Sequence, residues 1–152
     1  MIALIGGSRS WVAVAACASA LVVGCSSGVS YAEIEGAGGS VDAPRGTVAV
    51  RVTLGDKECD GPERECAEIS AVEALLFTGV PGTSLPRAMV RNEGQARQAH
   101  ADYFERLLEG GEHGRYVVRS LGPEGDAFTI VVNQAALRRS LEDEGVIRRF
   151  GR

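Results

Sequence analysis

The stretch Gly46-Thr47-Val48-Ala49-Val50-Arg51-Val52-Thr53-Leu54 decides the fold. Val48, Val50, Val52 and Leu54 fall on one side of a two-residue period, and Thr47, Ala49, Arg51 and Thr53 on the other. β-branched side chains on the apolar side predict a strand over 46–54 with one face in a core. A strand of this kind needs partners and a cover, and the chain downstream supplies both.

From Arg64 to Thr78 the period lengthens, with Ile69, Val72, Leu75 and Leu76 recurring at helical spacing, Pro62 ahead of them and Gly79 as a stop. This predicts a helix over 64–78. Pro81, Gly82 and Pro86 then forbid a continuous helix and make 80–91 an exposed connection. Asn92 and Gln95 stand at the spacing of a capping pair and open a helix over 93–109, with Ala96, Ala99, Tyr103, Phe104, Leu107 and Leu108 on its apolar face. Gly110-Gly111 ends it. Arg115–Leu121 and Ala127–Val132 flank Gly122-Pro123-Glu124-Gly125-Asp126, so the run 115–132 reads as a hairpin with a five-residue turn. Asn133 caps a last helix over 134–144, with Ala136, Leu137 and Leu141 inward and Gly145 as its stop. A small sheet packed against three helices is an α+β domain, spanning 46–152. One sheet face packs on the helices and the other stays partly wet.

Composition sets the outer bounds. The 152 residues carry 16 basic and 20 acidic side chains, and 45% are hydrophobic. That is too apolar for a disordered chain, and a net charge of −4 gives no footprint for nucleic acid. The length allows one ordinary domain. Residues 1–24 stand apart, with Arg9 as their single charge and an apolar run from Trp11 to Val23. The run is too short for a bilayer of about 30 Å and suits the apolar core of a secretory signal peptide.

It ends in Leu21-Val22-Val23-Gly24-Cys25, which resembles the lipobox of bacterial lipoprotein precursors. The resemblance implies that residues 1–24 are removed, that Cys25 is diacylated on sulfur and acylated again on its new amine, and that the mature chain is anchored to membrane lipid. Several acyl chains make such attachment effectively permanent. Val14-Ala15-Ala16-Cys17 also fits the pattern, but cleavage there leaves too short an apolar run behind Arg9. Ser26, in place of Asp after the cysteine, resembles the outer-membrane sorting signal. The expected address is therefore the bacterial cell envelope. Ala71–Gly82 and His100–Phe104 are similar in a general way to small lipoprotein domains of that envelope, a resemblance that implies no chemistry.

Export places the remaining cysteines, Cys59 and Cys66, in an oxidising compartment, where they are expected to close a small disulfide loop worth at most about 2–3 kcal/mol. The Gly-, Ser- and Ala-rich stretch 25–45 reads as a lipidated cysteine and flexible tether, in which only Tyr31–Glu35 offers an edge strand.

Candidate chemistry is sparse. Asp56-Lys57-Glu58-Cys59-Asp60-Gly61 echoes the opening of a calcium loop, but the twelfth position is Ala67 rather than Glu and a strand precedes it. An acidic turn before a helix is the simpler reading. His100 and Asp102 are two apart on a predicted helix and do not share a face, so no His-Asp pair is expected. His100 reads as a solvent-facing helix residue and His113 as a loop histidine. Gly79–Ser84 lacks the Lys of a phosphate loop, and Ser84 lacks the glycines of a nucleophile elbow. Arg138, Arg139, Arg148, Arg149 and Arg152 form one basic cluster, partly offset by Glu142, Asp143 and Glu144, that would suit an anionic lipid headgroup.

No catalytic residue, metal site or cofactor is expected. The expected function is that of a non-enzymatic interaction or structural module with an envelope protein as partner. The alternative is a periplasmic module binding a small ligand or metal through the 56–68 loop or the 79–91 connection, recognisable by an apolar pocket on which polar groups converge.

Overall fold

A computed structural model describes residues 33–37, 43–55 and 61–149. The leader, Cys25, Cys59 and residues 56–60 of the acidic turn lie outside the described residues. Four strands make one antiparallel sheet: β1 Glu33–Gly36, β2 Val48–Thr53, β3 Val117–Glu124 and β4 Ala127–Val132, ordered β1-β2-β4-β3. The helices are α1 Glu63–Phe77, α2 Glu93–Ala99, α3 Ala101–Phe104 and α4 Gln134–Asp143. A π-helical turn, Glu105–Glu109, continues α3, and a 3-10 turn, Glu112–Arg115, precedes β3. The domain is α+β.

Register explains the alternation read from the sequence. Val48, Val50 and Val52 stand opposite Val132, Ile130 and Phe128 of β4, and all six are buried in one cluster. The same face receives Ala67, Ala71, Val72, Leu75 and Leu76 of α1, Leu137 and Leu141 of α4, and Tyr103, Phe104, Leu107 and Leu108. Each fully buried Leu or Val contributes about 1.5–3 kcal/mol relative to exposure. On the opposite sheet face, Glu35, Arg51, Thr129 and Leu121 form one cross-strand row.

β1 occupies the edge position offered by Tyr31–Glu35, pairing Ile34 with Val52, so the sheet begins inside the stretch read as a tether. The helix expected over 93–109 is broken at His100, whose backbone (φ −131°, ψ 42°) is not helical. The His100 N–H closes α2 on the Ala96 carbonyl at 2.9 Å, and the His100 carbonyl accepts from Tyr103 and Phe104 to restart the chain as α3. The break and the π turn keep Ala96, Tyr103, Phe104, Leu107 and Leu108 on the core while Ala99 faces out. The hairpin turn is shorter than expected: β3 runs on through Leu121 to Glu124 with a register shift, and Gly125-Asp126 alone make the turn. The Gly122-Pro123 bond is cis.

Both expected caps form. Asn92 Oδ1 accepts from the Gln95 amide at 3.1 Å, and Asn133 Oδ1 from the Ala136 amide at 2.9 Å. A helix leaves its last four carbonyls without helical partners. At the end of α1, Ala74 O accepts from Thr78 and Gly79, Leu75 O from Met89 at 3.2 Å, and Leu76 O from Val90 at 2.8 Å. The connection 79–92 is thereby bonded to the end of α1, with Val80 and Val90 buried as anchors.

Candidate functional site

A groove of about 840 Å³ opens where that connection meets α2, α4 and the chain after α4. Leu85, Met89 and Val90 form one side of its apolar floor. Val146 and Ile147 form the other, folded back because their amides both donate to the Leu141 carbonyl, at 2.9 and 3.2 Å. Gly145, with φ +75°, makes the reversal. Thr83 stiffens the connection, its hydroxyl donating to Val80 O at 2.7 Å and accepting from the Leu85 amide at 3.0 Å. Ser84 Oγ lies 3.2 Å from Gln134 Oε1, tying the connection to the start of α4.

Among the described residues the charged members of the wall are all basic or basic-capable, namely Arg91, Arg138, Arg148 and His100, with no Asp or Glu. Arg138 donates to Glu142 at 3.2 Å. Arg91 and Arg148 are exposed and make no ion pair among the described residues. Asn92 and Gln95 are occupied by the α2 cap, and the Met89 and Val90 amides by α1. The groove therefore offers guanidinium donors and apolar surface, and its Met89, Val90, Val146 and Ile147 amides are already bonded.

The basic cluster read from the sequence is divided by the fold. Arg138 and Arg148 reach the groove, Arg149 pairs with Asp143 at 2.7 Å, and Arg152 lies outside the described residues. Arg91, which the sequence places at the end of an exposed connection, joins them.

The histidines sit elsewhere than expected. His100 is the half-buried residue at the α2–α3 break and lines the groove. His113 is buried in the 3-10 turn, 3% exposed. Its Nε2 is 3.9 Å from Glu68 Oε2, and its Nδ1 has no hydrogen-bond partner among the described residues. Ser120 Oγ donates to Glu68 Oε1 at 2.6 Å. The carboxylate lies between serine and imidazole, which is the wrong order for a nucleophile activated by histidine. The trio ties α1 to β3 and the 3-10 turn.

Cys66 is buried on the first turn of α1 and is disulfide-bonded; its partner lies outside the described residues, as do Cys25 and Cys59. Of the calcium-like segment 56–67 only residues 61–67 are described, and among the described residues no three His, Cys, Asp or Glu side chains gather as metal ligands.

Away from the groove, Arg97 lies 4.6 Å above the Phe77 ring and pairs with Glu73 and Glu93, pinning α2 to α1. No helix among the described residues is long and apolar enough to cross a membrane. Comparison of the chain with protein-family models, with curated proteins and with solved structures finds no match.

Proposed function

We propose that the protein is a non-catalytic binding module of the bacterial cell envelope, held by lipid on Cys25, whose working surface is the basic groove beside α2 and α4. Ser26 favours the outer membrane. The observation that carries the binding reading is the groove itself: an apolar floor walled by three arginines and a histidine, without a carboxylate among the described residues, in a chain whose net charge is −4. Cations gathered against the overall charge, over apolar surface, suit a partner with one anionic and one apolar part. Of the two surfaces weighed from the sequence, the 79–91 connection lines this groove, while residues 56–60 of the other lie outside the described residues.

Two measurements test this. Intact mass of the membrane-extracted protein should show loss of residues 1–24 and gain of acyl mass, and an unprocessed chain refutes the anchor. A photoreactive amino acid in place of Ala88 should give an adduct in native membranes that is lost when Arg91→Gln and Arg148→Gln are combined. The same probe at Thr129, on the opposite sheet face, should not. Adduct formation indifferent to the two arginines refutes the groove as the working surface.

A further inference from the structure

We infer that the groove takes an anionic phospholipid of the membrane that holds the anchor, its phosphate on Arg91 and Arg148 and a stretch of acyl chain along Leu85, Met89, Val146 and Ile147. The inference rests on the binding reading above and adds the occupant. Three observations favour lipid over peptide.

The charged wall is suited to one sign only. Guanidinium groups present planar, paired donors that match phosphate oxygens, and no acidic side chain among the described residues of the wall would repel those oxygens. Arg138 already shares its charge with Glu142, so Arg91 and Arg148 carry most of the attraction.

An extended peptide would seek backbone partners, since strand addition draws its affinity from main-chain hydrogen bonds. The amides of Met89 and Val90, in the floor, already donate to Leu75 and Leu76, and those of Val146 and Ile147 to Leu141. The apolar side chains of Leu85, Met89, Val146 and Ile147 are satisfied by a hydrocarbon chain, which needs no hydrogen bonds of its own. The volume of about 840 Å³ lies within the usual range of roughly 300–1,000 Å³ for small-molecule sites.

The anchor also sets a distance. β1 begins at Glu33, so the eight residue steps from Cys25 span at most about 29 Å when fully extended. A domain of this size is itself on the order of 35 Å across. The start of β1 is thus held within a domain's width of the bilayer, and Gly36 at its end lies against Pro81, Gly82 and Thr83 of the connection that forms the groove, so the tether lets the groove reach the lipid.

The experiment uses the mature lipidated protein in nanodiscs of phosphatidylcholine doped with photoreactive phosphatidylglycerol, with photoreactive phosphatidylcholine as the comparator. Crosslinks should map to 85–91 and 146–148, and combined Arg91→Gln and Arg148→Gln should reduce them at least about tenfold. Arg119→Gln, an exposed arginine on β3, should leave them unchanged. Equal labelling by the two lipids, labelling spread outside these segments, or labelling indifferent to the arginines overturns the proposal. A polypeptide adduct at Ala88 in native membranes would overturn the lipid and leave the binding module standing, and the mass of the input protein reports the anchor independently.

Discussion

Gly79→Ala and Gly82→Ala form a matched pair. Both glycines lie in the connection after α1 with nearly the same left-handed backbone, φ +80° and +76°. An alanine pays about 1 kcal/mol for that conformation at either position. Their surroundings differ. A Cβ on Gly82 would meet nothing within 4 Å, whereas one on Gly79 would stand 2.5–2.7 Å from the backbone C, Cα and N of Arg87. Backbone cannot rotate away as a side chain can, so residues 87–90 must shift.

That shift strains the Met89 and Val90 hydrogen bonds to Leu75 and Leu76, each worth about 1 kcal/mol. The expected losses are therefore about 3 kcal/mol for Gly79→Ala and about 1 kcal/mol for Gly82→Ala. Urea unfolding followed by circular dichroism separates them, with midpoints about 1 M apart for a slope of about 2 kcal/mol/M. The melting temperatures should differ by roughly 8 °C, at about 4 °C per kcal/mol for this size. Equal losses in the two variants, within about 0.5 kcal/mol, would refute the claim that Arg87 packs on Gly79 and that the connection is fastened to the end of α1.

Asn133→Ala removes the oxygen that accepts from the Ala136 amide and should cost about 1 kcal/mol in urea unfolding, with Asn133→Asp retaining most of the stability. Ser120→Ala takes from Glu68 its hydroxyl donor at 2.6 Å and should cost about 1.5–3 kcal/mol. In a double-mutant cycle with Glu68→Gln the two losses should be non-additive, and simple addition would deny the bond. Tyr103 ionises above its ordinary value of about 10 because burial disfavours the phenolate, an effect partly opposed by its hydrogen bond to Ser140. The folded state thus holds that proton more tightly than the unfolded one. The contribution is fully present below about pH 10 and is lost as pH rises through the folded value, so Tyr103→Phe should flatten the alkaline fall in stability.

The segments legible in the sequence are those whose own period sets their structure. Val48, Val50 and Val52 alternate because a sheet has two faces, and Asn92 and Asn133 stand where a helix start leaves amides unpaired. The interruption at His100 carries no such mark, since Ala99-His100-Ala101 holds neither Gly nor Pro. It exists because the core draws in both Ala96 and the Tyr103–Leu108 set. His113 is flanked by Glu112 and Gly114, which read as exposed loop, and only folding sets it beside Glu68, 45 residues earlier. The groove was half visible: Arg138 and Arg148 stood out as part of a basic cluster, while Arg91 belongs to a different run of sequence. No local pattern could join them, because their proximity is created by α1 carbonyls reaching residues 89 and 90, and by Gly145 turning the chain back.

This division of labour separates support from recognition at the groove. The Leu85–Val90 side of the floor is held by backbone hydrogen bonds from the connection to α1, so a change that disturbs them should lower stability and disrupt the binding surface together. Gly79→Ala is such a change. Arg91 and Arg148 are exposed and lack ion-pair partners among the described residues, so replacing them removes charge without removing packing. Surface substitutions of that kind usually stay within about 0.5 kcal/mol. The combined Arg91→Gln and Arg148→Gln protein should therefore unfold at the parent urea midpoint while losing its groove-dependent adduct. If it instead unfolds as early as Gly79→Ala, the arginines are part of the scaffold, and loss of the adduct in that variant could no longer be assigned to charge.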